Sequence, residues 1–306
     1  MGMSGMYGPS DDDESVATIH AALDAGINLL DTGDFYGMGH NEMLLGRALK
    51  DRRDSAVLSV KFGAMRGPDG GWIGYDARPS AIRNFLAYSL KRLGVEYVDI
   101  YRPARLDPKV PIEETVGAIA DLIKAGYVRH IGLSEVGVET IRRAHMAHPI
   151  VDLQIEYALI SRSPEAKIFP VLAELGIGVT AYGVLSRGLL SGSKPTGKGD
   201  FRSFLPRYRA GNLEQNQQLL SGLQGMAAAK GVTPSQLAIA WVLAKGETIV
   251  PILGARKRSQ LEETLGALQV ALSADEVADL EAAVPAEKVA GTRYDAGQMR
   301  MLDSEK

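Results

Sequence analysis

The chain has 306 residues, 45% of them hydrophobic and 23% charged, with a formal net charge of -3 at neutral pH. That apolar content fills the core of one large domain or two smaller ones, and the near-balanced charge, spread along the chain, excludes the basic field that a nucleic-acid backbone demands. The absence of cysteine excludes disulfide frameworks, thiolate metal sites and cysteine nucleophiles. No basic-then-apolar leader and no run of about 20 apolar residues occurs, so the expectation is a cytoplasmic protein with no membrane or nucleic-acid partner.

In chain order, the stretch Met1-Gly2-Met3-Ser4 reads as a short first strand. Apolar runs rich in β-branched residues then recur at 27–31, 56–61, 97–101 and 128–134, and again from Val151, Ile177 and Thr248, with amphipathic stretches between them. Buried strands alternating with helices specify a parallel sheet covered on both faces. Seven clear βα units and the short first strand make eight, which predicts an α/β fold, a (β/α)8 TIM barrel, in a single domain spanning 1–306. A doubly wound open sheet shares the alternation, but its usual glycine-rich GxGxxG turn is missing. Thr233-Pro234-Ser235-Gln236 supplies an N-cap, a first-turn proline and a capping-box glutamine, and Ser273 with Glu276 repeats the arrangement. The glycine- and serine-rich interval 186–212 reads as a long loop over the barrel mouth.

A barrel of this kind gathers Asp31, Tyr36, Lys61, Ser134, Gln154 and Tyr182 at or just beyond strand C-termini on one face. A phenol titrates near 10, and a nearby ammonium lowers that value. Lys61 is the ammonium available to Tyr36, and Asp31 is the counter-charge that a buried lysine needs. Such a set delivers a proton to a developing alkoxide. The carboxylates Asp31, Asp34 and Glu135 also leave open a barrel hydrolase. His145 and His148, at helical spacing, read as a solvent-facing pair, and no metal site is expected.

Asp31-Thr32-Gly33-Asp34-Phe35-Tyr36-Gly37 and Val60-Lys61-Phe62-Gly63 resemble the segments that carry the catalytic aspartate, tyrosine and lysine of the aldo-keto reductase family, and the resemblance runs over nearly the whole chain. It implies an NADPH-dependent reductase acting on a small carbonyl substrate, with NADPH/NADP as cofactor, Tyr36 as acid/base and Lys61 and Asp31 tuning it. Gly132-Leu133-Ser134-Glu135 and Gln154-Ile155-Glu156-Tyr157 are similar to the segments that hold the nicotinamide carboxamide, which assigns that role to Ser134 and Gln154. The run from Ala181 to Gly188 resembles the segment whose tyrosine, here Tyr182, stacks on the nicotinamide, with Leu185 and Arg187 in the loop crossing the pyrophosphate. Pro251 to Lys257 and Leu261 to Thr264 resemble the adenosine-binding end, which brings in Gly254, Arg256, Lys257 and Glu263. Arg256 and Lys257 beside a helix N-terminus suit the 2′-phosphate of NADPH.

Two departures stand out. The family's histidine, seven positions after Tyr97, falls on Ala104, although Arg105-Leu106-Asp107-Pro108 keeps the pattern. Alanine offers no hydrogen bond to a carbonyl oxygen, a loss on the order of 100- to 1000-fold in rate. A water filling the space, a bulkier substrate, or Arg102 leaning in from the same strand face would each answer it. An alternative is a nicotinamide-binding regulatory or sensor protein with weak turnover. The second departure is the start, where the chain enters with a shortened first strand and no N-terminal hairpin.

Overall fold

The computed structural model describes residues 2–5, 7–195 and 200–306. Its strands are β1 (Leu29–Gly33), β2 (Val57–Phe62), β3 (Ala64–Arg66), β4 (Trp72–Tyr75), β5 (Val98–Pro103), β6 (Val128–Ser134), β7 (Ile150–Glu156), β8 (Gly178–Tyr182) and β9 (Ile249–Pro251). Seven of them pair in the order β1-β2-β5-β6-β7-β8-β9, every pairing parallel, while β3 and β4 make a separate antiparallel hairpin. Helices such as His40–Leu49, Pro79–Leu93 and Ile112–Lys124 fill the crossovers.

Alternation along each strand explains the layers. In β2, Leu58, Val60 and Phe62 are fully buried apolar residues, and Phe62 stacks on Tyr101 of β5 at 4.3 Å between ring centroids. Ser59 and Lys61 alternate with them on the opposite face, which is polar. That inner face is closed by hydrogen bonds: Arg102 of β5 pairs with Asp152 of β7 at 2.9 Å and donates to Thr180 of β8 at 3.1 Å and to Ser59 at 2.9 Å. Gln154 of β7 donates to Asp31 of β1 at 2.8 Å. In a flat sheet those two strands would stand four spacings of about 4.8 Å apart. The sheet is therefore strongly curled, with side chains meeting across its hollow.

The expected first strand is replaced by a single 3-10 turn, Gly2–Ser4. Gly5 follows at φ +88°, which breaks an extended path, and the Ser4 hydroxyl accepts from the Asn41 amide at 3.0 Å, anchoring the turn to the helix His40–Leu49. The outer helices pack closely; at Gly46 an added Cβ would lie 2.7 Å from the Leu93 carbonyl oxygen, so only glycine fits there. Both capping boxes form as expected, at Thr233/Gln236 and Ser273/Glu276. Within 186–212, residues 196–199 lie outside the described residues, and the remainder is held down. Arg202 donates to Ser193 Oγ at 2.8 Å and to the Lys194 carbonyl at 3.0 Å, while Arg207 reaches Ser161 Oγ at 2.8 Å.

Candidate active site

Asp31 near the end of β1 and Lys61 near the end of β2 are neighbours because the two strands pair in parallel, and their side chains form a direct ion pair, 8% and 4% exposed. Ser59 and Gln154 each donate to the other oxygen of Asp31 at 2.8 Å. Burial opposes ionisation of Asp31, but Lys61, Arg102 and these hydrogen bonds outweigh it and hold the carboxyl below its ordinary value. Burial pulls the Lys61 ammonium down, against the attraction of Asp31.

Tyr36 opens a tight reversal beyond β1, in which Gly37 and Met38 both have positive φ. The turn carries the phenol back over the strand ends, where its ring faces the Lys61 ammonium at 4.9 Å. Its hydroxyl meets no hydrogen-bonding partner among the described residues, yet it is absent from the sealed, unsatisfied polar atoms. The hydroxyl is therefore not closed off from solvent. Sequence reasoning expected Lys61 to lower the phenol; instead burial and the Asp31 charge push it well above the usual tyrosine range, and the cation that opposes them is Arg105. The physical reason is the direct ion pair, which gives Lys61 a charge of opposite sign at contact distance.

The second half of the mouth is built on Glu135, a fully buried residue with φ +53° just after β6. Its carboxylate accepts from Arg293 at 2.7 and 2.6 Å, from Ser304 at 2.6 Å and from the Tyr182 hydroxyl at 2.7 Å. Burial would raise this carboxyl, but Arg293, Arg105 and Ser304 bring it down to about 2. Tyr294 follows Arg293, and its hydroxyl lies 3.0 Å from that of Tyr182. The C-terminal tail is thus clamped into the mouth, and Arg293, Tyr294 and Arg105 are site residues that sequence reasoning did not single out. The adjacency of Arg105 to Ala104 was the readable signal.

The other expected residues fall around this centre. Ser134 Oγ accepts from Arg105 at 3.3 Å. Arg187, beside the partly buried Leu185, pairs with Glu156 at 2.9 Å and lies 4.6 Å from the Tyr294 ring centroid. Arg102 does not lean into the vacated volume at Ala104; it is fully buried in the hollow, held by Asp152, Ser59 and Thr180. At the far end, Arg256 donates to the Tyr7 carbonyl at 3.0 Å, and Arg258 pairs with Glu14 at 2.9 Å. Lys257, between them, has no hydrogen bond or ion pair through its side chain among the described residues, and a Cβ added at Gly254 would meet nothing within 4 Å. Glu263 accepts from Thr233 at 3.1 Å. Among the described residues no cluster of histidine and carboxylate side chains is arranged to hold a metal, and no helix is long and apolar enough to cross a membrane.

The model of the aldo/keto reductase family matches residues 1–285. A probable aldo-keto reductase of Glycine max is 42% identical over 301 residues, covering 96% of this chain and 86% of that protein. Among solved structures, glycerol dehydrogenase from Gluconobacter oxydans superposes with a TM-score of 0.83 at 32% identity, over 93% of this chain and 90% of that one. An aldo/keto reductase from Klebsiella pneumoniae, solved with NADP and acetate, gives 0.73 at 25% identity, over 93% and 89%. The chain belongs to the aldo/keto reductase family.

Proposed function

We propose that this protein is an NADPH-dependent reductase of aldehydes or ketones, a single (β/α)8 barrel domain over 1–306 that works at the mouth built around Tyr36. The observation that carries this reading is the open, unpartnered Tyr36 hydroxyl above the buried Lys61–Asp31 pair. Family membership, and the NADP held by the Klebsiella pneumoniae relative, support the cofactor.

The residues present fit NADPH. Lys257 is an exposed cation whose side chain makes no hydrogen bond or contact ion pair among the described residues, beside the start of the helix Arg258–Leu265 and the open space at Gly254, a combination suited to a phosphate ester. Arg256 and Glu263 flank it. Ser134 and Gln154 would hold the nicotinamide amide, Tyr182 would support the ring, and Leu185 and Arg187 would border the pyrophosphate. When bound, NADPH supplies the hydride for the carbonyl carbon. Tyr36 gives its phenolic proton to the carbonyl oxygen above the ion pair of Lys61 and Asp31.

Stopped-flow oxidation of bound NADPH by reactive aldehydes tests the reading, with Tyr36→Phe as comparison. The expected result is reduction by the unmodified chain and its loss in the variant, with NADPH affinity within a few-fold. Reduction that survives Tyr36→Phe would overturn Tyr36 as the acid. The methyl group at Ala104 favours a second reading, a cofactor-binding regulatory or sensor protein with slow turnover, and uniformly slow oxidation by every carbonyl would select it.

A further inference from the structure

We propose that Arg105 takes the place of the missing donor at Ala104, its guanidinium holding the substrate's carbonyl oxygen beside Tyr36 and bearing the negative charge that gathers there. This assignment rests on the reading of the chain as a carbonyl reductase.

Ala104 keeps its place at the end of β5: its amide donates to the Phe62 carbonyl at 2.8 Å, and its methyl is buried. The position is therefore in register and lacks only chemistry. The next residue supplies it. Arg105 Nη1 donates to the Ala104 carbonyl at 2.7 Å and to Ser134 Oγ at 3.3 Å, and Nη2 lies 3.4 Å from the Tyr294 hydroxyl. These contacts fold the guanidinium back across the ends of β5 and β6, toward the tail residue that touches Tyr182.

Every one of those acceptors is neutral. The other arginines packed into the barrel and its mouth, Arg102, Arg187, Arg207 and Arg293, each have a carboxylate within 4 Å, whereas Arg105 forms no ion pair among the described residues. Glu135 acts on this cation from a distance, but no carboxylate meets it at ion-pair range among the described residues, so an anionic or strongly polarised oxygen is a ligand this position can take at contact. Two of its five N–H groups, one on Nη2 and the one on Nε, are left over. Nε has no acceptor among the described residues, and it is absent from the sealed unsatisfied atoms that include Nε of Arg53 and Arg102, so it is not closed off from solvent. The charge acts on both Tyr36 and Lys61, which places it within electrostatic range of the proton donor.

The balance of the step is unchanged. The carbonyl carbon accepts the hydride and is reduced as the nicotinamide is oxidised; the π electron pair moves to oxygen, and oxygen takes the Tyr36 proton. Arg105 exchanges no proton, because a guanidinium stays charged across the working range.

The test compares the full chain with Arg105→Met, Arg105→Gln and Arg105→Lys, using NADPH and 4-nitrobenzaldehyde, and separately follows acetate binding without cofactor by tryptophan fluorescence. The neutral variants are expected to lose on the order of 100-fold or more in kcat/KM and to lose acetate binding, while Arg105→Lys recovers at least tenfold of the rate and binds acetate. Glutamine serves if methionine at this position prevents folding. A neutral variant that folds and keeps kcat/KM within about threefold, or that binds acetate as the unmodified chain does, overturns the role of Arg105 and leaves the reductase reading standing. An unmodified chain that reduces no carbonyl removes both.

Discussion

Replacing Arg293 with methionine takes away the cation that keeps Glu135 ionised in the mouth. Glu135 is fully buried and held at about 2, against an ordinary 4.5, a depression that corresponds to roughly 3.5 kcal/mol of stability at neutral pH. Leaving a buried carboxylate without its partner costs about 3–5 kcal/mol, and Glu156, 3.6 Å from the same guanidinium, loses part of its compensation as well. Arg293→Met is therefore expected to lower stability by about 3–5 kcal/mol at pH 7.5, seen in urea unfolding as a lower midpoint with little change in slope. The pH dependence follows from the sign. A carboxyl whose folded value lies below its unfolded one contributes stability that is present above pH 4.5 and lost as pH falls through about 2. In the variant, burial dominates and protonation of Glu135 becomes favourable to the fold. The difference between the proteins should thus be widest near neutrality and narrow on acidification, and Glu135→Gln combined with Arg293→Met should recover much of it. A loss under about 1 kcal/mol at pH 7.5, or a gap that widens as pH falls, would refute the reasoning.

Fluorescence titration should show NADPH binding at least about tenfold tighter than NADH, with Lys257→Ala narrowing the ratio more than Arg256→Ala, because Arg256 is already bonded to the Tyr7 carbonyl; equal affinities in the unmodified chain would remove this phosphate site. Asp34 is pushed up to about 7, chiefly by burial, with one carboxylate oxygen sealed and unpartnered. A carboxyl raised in the folded state costs stability as pH rises from about 4 toward 7, so Asp34→Asn should raise the unfolding free energy at pH 8 by up to about 4 kcal/mol and by progressively less down to pH 4. An effect that did not fade on acidification would rule out that cause. Ala104→His alone should change small-aldehyde turnover by less than about tenfold, since Arg105 already faces the site, but in the Arg105→Met background it should restore at least about tenfold; single-turnover oxidation of NADPH measures both.

The seven strands of the parallel sheet and both capping boxes were legible because each is set by residues close in sequence: period-two burial such as Leu58/Val60/Phe62, and a hydroxyl three positions before a glutamine or glutamate. The approach of Asp31 to Lys61 was legible for a related reason, since parallel neighbours β1 and β2 leave their C-terminal ends side by side. The turn at Gly2–Ser4 was not, because its Ser4 hydroxyl finds Asn41 only once the helix His40–Leu49 is in place. Partner choice among long charged side chains escaped altogether. Whether Arg102 turns to Asp152 or to the mouth, whether Arg187 meets Glu156, and whether Arg105 reaches Tyr294, 189 positions away, depends on how tightly the sheet curls. The sequence by itself determined the seven parallel strands, the two capping boxes and that Asp31, Tyr36 and Lys61 share one end of the sheet, but neither the hairpin of β3 and β4 nor the turn at Gly2–Ser4. Only the tertiary structure decided which cation faces the open phenol, because electrostatic pairing follows distance in space and an arginine side chain has several partners within its reach.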